Sequence, residues 1–249
     1  MALNNLRVFN SSLNDRICSF VLNGRSNYAV LVPGVRDEST TSTSIYLYYI
    51  ASGFASFWPN DLANAPSTIL NNINNAQKTG TVITYGVSLP NATISSEPLL
   101  CSVFELNNDP KLMALAKQVY LAHEGRYNAT GKFVAFSEGN TMSDFIYEWV
   151  VLPNGDTWKI MKAGESTYAN IEPIIYTKVA LSFLALYNTT FARNMTIYLE
   201  KAFPDTTTGY YSGADYNTDI NNANLVLSTD SNTNGMILSA ARYAIKNNP

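Results

Sequence analysis

Apolar and polar positions along the chain repeat one pattern three times: an apolar helix, an Asn-led break, an amphipathic helix, and a glycine before a short aromatic or β-branched strand. The first copy runs from Thr43 to Trp58, breaks at Asn60-Asp61, continues as a helical pattern to Gln77, and ends on Gly80 and Thr81–Tyr85. The second opens at Ser95-Ser-Glu-Pro, breaks at Asn108-Asp109, runs to His123, and ends on Gly131 and Lys132–Phe136. The third opens at Asn170-Ile-Glu-Pro, breaks at Asn188-Thr189, runs to Phe203, and ends on Gly209-Tyr-Tyr211. At the chain ends, Asn4–Phe20 predicts a helix with no partner before it, followed by Gly24 and a β-rich Tyr28–Val32, and Asn232–Lys246 predicts an apolar helix with none after it. Joined, these two supply a further hairpin. The expectation is one mainly α domain over residues 1–249, an α/α ring of about four helix hairpins with short β-hairpin inserts, whose last helix packs beside its first.

In such a ring the more apolar helix of each pair lies inside, and parallel inner helices gather their starts at one end. Glu97-Pro98 and Glu172-Pro173 suit helix starts, because proline is tolerated in the first turn and a carboxylate meets the positive end of the helix dipole. The insert 139–167, carrying Trp149, Trp158 and the turn signal Asn154-Gly155, predicts a β-hairpin lying over that end and walling a cleft.

Composition narrows the surroundings. Charged residues make up 14% of the chain, and 16 Tyr with many Asn, Ser and Thr stand in their place. A surface built from uncharged hydrogen-bonding groups suits an acidic exterior, where carboxylates protonate, better than a hot cytosol, which favours Lys and Glu networks. An extracellular or cell-surface, thermoacidophile-like protein is expected, although the sequence shows no signal peptide. Five sequons, at Asn10, Asn91, Asn128, Asn188 and Asn194, add nothing to this: 29 Asn with 44 Ser plus Thr give about five by chance. The longest apolar run, Tyr46–Trp58, is too short for a membrane span. A net charge of −3 without a basic cluster speaks against nucleic acid. Cys18 and Cys101 are too few for a zinc cluster and leave open a disulfide or two thiols. The single histidine, His123, sits where a cation would complement a helix C-terminus, and neither metal nor cofactor is implied.

The run Tyr176–Tyr187, followed by Gly209-Tyr-Tyr-Ser-Gly213 and Ser228-Thr-Asp-Ser-Asn-Thr-Asn-Gly235, resembles a family of α/α-toroid domains of unknown function that are similar to glucoamylase-type carbohydrate-active toroids. Thr177-Lys178, Gly209-Tyr210-Tyr211 and Asn232-Thr233-Asn234-Gly235 carry the likeness, which is clearest over residues 170–245. The resemblance implies a carbohydrate ligand, a polysaccharide or glycan.

Hydrolysis of a glycosidic bond needs two carboxyl groups across the bond, one a protonated acid and the other ionised. The repeat places Glu97 and Glu172 at equivalent inner-helix starts, with Asp230 at a third, so these are the candidate catalytic residues. Trp149, Trp158, Tyr210 and Tyr211 offer flat rings for sugar stacking, and Asp215, Asn232 and Asn234 offer polar groups near the same mouth. Lys178, two turns inside an apolar helix, needs a carboxylate partner if it faces inward. Two functions fit: a glycoside hydrolase using paired carboxylates, or a non-catalytic carbohydrate-binding or cell-surface module that keeps each carboxylate as a helix cap.

Overall fold

The computed structural model describes residues 2–23, 28–106 and 109–247, so Gly24 and Asn108 lie outside the described residues. Helices α1 (Ala2–Phe9), α2 (Asn14–Leu22) and α3 (Val32–Ser39) precede the apolar α4 (Ile45–Ala55), the single turn α5 (Pro59–Leu62) and the amphipathic α6 (Ala65–Thr79). The hairpin β1 (Thr81–Thr84) and β2 (Val87–Pro90) leads to α7 (Ser96–Glu105) and α8 (Pro110–Thr130), then to the meander β3 (Glu138–Asn140), β4 (Phe145–Val151) and β5 (Thr157–Lys162). Strand β6 (Ile174–Tyr176) runs into α9 (Thr177–Tyr187), followed by α10 (Thr190–Ala202), β7 (Gly213–Asp215), β8 (Leu225–Val226) and α11 (Ser231–Asn247). The chain is mainly helical with small antiparallel sheets.

The expected pairs α4/α6, α7/α8 and α9/α10 all pack as hairpins. Two of the three breaks carry a side-chain cap: the Asp109 carboxylate accepts from the Lys111 backbone N–H at 2.8 Å and the Thr189 hydroxyl from Ala192 at 3.3 Å, whereas Asn60-Asp61 lies within α5 and α6 starts at Asn64 without a side-chain cap. Helix α7 is the centre of the packing. Every residue from Ser96 to Phe104 is buried, and it touches α4, α9 and α11, while α11 also lies along α9. A helix without an exposed stripe belongs in the middle.

Four expectations are corrected. Tyr28–Leu31 is a 3-10 turn leading into α3, and the expected N-terminal helix is broken at Asn10, whose side chain accepts from Ser12 N–H and starts a separate turn. This segment lies against the far end of α4, where Arg7 donates to the Ser56 carbonyl at 2.7 Å and covers the Phe57 ring. The principal neighbours of α11 are instead α9 and α7, with Tyr243 against Phe104 and Ser239 bonded to Glu105. Glu172-Pro173 does not open α9, because Ile174–Tyr176 are claimed as a strand by β7. Both cysteines are free thiols, Cys101 buried in α7 and Cys18 receiving a hydrogen bond from Arg7.

Candidate functional site

Helices α4, α7, α9 and α11 each bring their second residue, Tyr46, Glu97, Lys178 and Asn232, to one polar cluster. Lys178 Nζ lies 2.6 Å from Glu97 Oε2 with side-chain exposures of only 4% and 6%, so the carboxylate that Lys178 required is Glu97. The other contacts lock this pair: Ser137 Oγ donates to Glu97 Oε2 at 2.8 Å, Asn232 Nδ2 donates to Glu97 Oε1 at 2.8 Å, and Lys178 donates to Asn232 Oδ1 at 2.7 Å. A buried ion pair is tolerable only when its remaining donors and acceptors are met in this way.

Two further carboxyl groups stand beside the pair in opposite electrostatic settings. Glu138, half-buried on β3, is raised from its ordinary value by burial and then by the Glu97 charge, against the pull of Lys178 and of a hydrogen bond with Tyr46. Asp230 caps α11: its carboxylate accepts from the Thr233 N–H at 2.6 Å, from the Thr233 hydroxyl at 3.0 Å and from Ser212 at 2.8 Å. Burial acts against ionisation of Asp230, but those bonds and the Lys178 charge outweigh it and hold the carboxyl below its usual value. One ammonium therefore serves three acids.

Trp149 stands beside this cluster, edge-on to Tyr46 with ring centroids 5.7 Å apart and stacked on Tyr147, and its buried indole N–H has no acceptor among the described residues. Tyr210 and Tyr211 line a neighbouring cleft of about 400 Å³ between α9 and α10, where the buried Thr177 hydroxyl likewise lacks a partner among the described residues. Asn234 braces the wall of that cleft, its amide receiving the Tyr210 N–H and donating to the Tyr210 and Asp230 carbonyls.

The other expected site residues fall elsewhere. Glu172 is exposed and pairs with Lys132 at 3.7 Å, away from Glu97, because Pro173 and the strand β6 put four residues between it and the true helix start at Thr177. Trp158 faces the opposite side of the β4–β5 hairpin, donating to Thr84 and packing on His123 and Phe136. Asp215 is buried and consumed by Asn224, which donates both its backbone N–H and its side-chain amide. His123 is fully buried inside α8 rather than a cation at its end: Nδ1 donates to the Val119 carbonyl, Nε2 accepts from Phe136 N–H, and burial depresses it to about 4.

Among the described residues no group of three or more His, Cys, Asp or Glu is placed to hold a metal ion, and no helix is long and apolar enough to cross a membrane. With the geometry fixed, the comparison with known families is informative: a model described as "Protein of unknown function (DUF3131)" matches residues 23–247, nearly the whole chain. The chain belongs to this DUF3131 family. No curated protein and no solved structure matches it. The family match begins after α1 and α2, and contains every member of the Glu97–Lys178 cluster.

Sequence reasoning missed Glu138, Ser137, Tyr46 and Glu148. For Glu148 a signal existed. In Phe145–Val151 the two-residue alternation puts it on the same face as Ile146 and Val150, a lone acid on a buried stripe. It is fully buried, accepts from Ile174 N–H at 2.8 Å and Ser137 N–H at 3.3 Å, and burial pushes it up to about 8. Its backbone carbonyl also accepts from Ser95, so it fastens the three segments that precede Glu97, Glu138 and Lys178.

Proposed function

We propose that this chain is a carbohydrate-active protein of the cell exterior, an α/α toroid that hydrolyses a glycan at the mouth where its inner helices start. Glu138 is the general acid, Asp230 the ionised base or nucleophile, and the Glu97–Lys178 pair sets the field between them. A single observation carries this: two carboxyl groups around one lysine are driven in opposite directions, Glu138 toward the protonated form and Asp230 toward the ionised form, the division of labour that glycoside hydrolysis needs. Asp230 belongs to the set expected from sequence, whereas Glu138 takes the place of Glu172. Trp149 and Tyr46 give rings at the rim, and Tyr210 and Tyr211 extend the surface along α9.

A second reading, a non-catalytic glycan-binding module, is favoured by the full engagement of Glu97 and the capping role of Asp230. Reducing-sugar release from a polysaccharide panel at acidic and neutral pH separates the two. Hydrolysis predicts that Glu138→Gln and Asp230→Asn each lower kcat by about 10²-fold or more with the fold intact by circular dichroism. Full activity in both variants would remove the assignment, and glycan binding without cleavage at any pH would leave the binding module.

A further inference from the structure

A second groove, of about 490 Å³, lies on the other side of the β4–β5 hairpin, between the end of α8 and the 168–173 segment. Its lining brings together three cations, Arg126, Lys132 and Lys159, with the rings of Trp158 and Tyr168 and one acid, Glu172. Arg126 defines it. Its guanidinium lies over Trp158 at 4.7 Å and over Phe136 at 5.6 Å, and burial pulls its pKa down. Among the described residues it has neither a carboxylate partner within ion-pair distance nor a hydrogen-bond acceptor, and its Nε is sealed from solvent. The acids that act on it are already committed. Glu148 spends its oxygens on the Ile174 and Ser137 amides, and Glu172 pairs with Lys132 across an exposed 3.7 Å.

A half-buried, unpaired guanidinium is costly to keep, and aromatic stacking offsets only part of that cost. The position is nevertheless firmly built. Trp158 is held at φ 55° with its indole N–H on Thr84, so that the ring supporting Arg126 is fixed in place. Lys159 stands over the Tyr168 ring at 5.0 Å, and the Tyr168 hydroxyl is anchored on Asp156. A planar fork in a groove shared with two lysines and bordered by an exposed tyrosine ring matches a planar anion attached to a ring.

We infer that this groove binds the carboxylate of an acidic sugar unit, a uronate within the glycan. The inference rests on the carbohydrate reading for its ligand class but uses none of the residues proposed for hydrolysis. The test is calorimetric titration of the full chain with a uronate oligomer, a neutral glucan oligomer of equal length, and inorganic sulfate. The uronate oligomer should bind at least about tenfold more tightly than either of the others, Arg126→Lys should weaken it by about tenfold through loss of the fork, and Lys159→Ala by a smaller factor. Arg126→Lys retains the charge, and an unchanged melting temperature would show that the fold survives. A uronate affinity that falls with Arg126→Lys stands whether or not the chain cleaves any polysaccharide, which keeps this result separate from failure at the helix mouth. Equal affinity for neutral and acidic oligomers, full affinity in Arg126→Lys, or sulfate binding as tightly as the uronate oligomer would each overturn it.

Discussion

Lys178 illustrates how far one residue can be reasoned about. A lysine inside the apolar run Thr177–Tyr187 either snorkels to the surface or turns inward and demands a buried acid, and the structure shows the second, with Glu97 as the acid. Which acid it would be was not legible, because Glu172 has the same Glu-Pro signature as Glu97 and only the strand pairing of residues 174–176 disqualifies it. Glu138 gave no signal at all, since its role comes from the fold of β3 over helix starts distant in sequence. The Glu97–Lys178 pair makes a sharp prediction. Lys178→Met strands a buried carboxylate and should destabilise the protein by about 3–5 kcal/mol, whereas Glu97→Gln combined with Lys178→Met should recover a large part of that loss. Chemical denaturation of the four proteins of the cycle measures the coupling, and a coupling near zero would mean the pair does not hold the mouth together.

At the scale of elements, the hairpin repeat was legible because caps and apolar periodicity are local: α4/α6, α7/α8 and α9/α10 all stand where the pattern put them. Strands were harder to read, since short segments such as Ile174–Tyr176 and Gly213–Asp215 are defined by a partner about 40 residues away in the chain. Gly213 marks this contact. A Cβ there would fall 2.6 Å from Ile174 Cγ2 and 2.7 Å from the Ile175 carbonyl oxygen, the latter part of the backbone and unable to yield. Gly213→Ala should therefore part β6 from β7 at a cost of about 1–3 kcal/mol. Because β6 leads directly into α9, the same change should lower the glycan affinity proposed for the helix starts, as a melting scan and a binding isotherm would show together. An alanine variant as stable as the parent would mean that β6 and β7 do not pack this closely.

Across the whole molecule, two buried groups set opposing pH dependences. Glu148 is raised to about 8 in the folded chain, so the native state holds a proton that the unfolded chain releases near its ordinary value of 4.5. Its stabilising contribution is complete below about 4.5 and declines as pH rises through 8. His123 runs the other way. Depressed to about 4 from an ordinary 6.5, it contributes fully above about 6.5 and loses that contribution as pH falls through 4, because protonation would set an N–H on Nε2 against the Phe136 amide. Each slope is at most about 1.4 kcal/mol per pH unit, and between about pH 4.5 and 6.5 the two cancel. The protein should thus show a plateau of stability over that mildly acidic interval and a fall from there toward pH 8. Glu148→Gln removes one arm. It gives up one of the two amide hydrogen bonds and lowers stability in acid by about 1–2 kcal/mol, yet it should convert the plateau into a rise from pH 4 to 6.5 and flatten the fall above it. Melting temperatures of parent and variant taken every half pH unit would test this, and a parent whose stability climbs steadily from pH 4.5 to 8 would refute the buried, protonated state of Glu148.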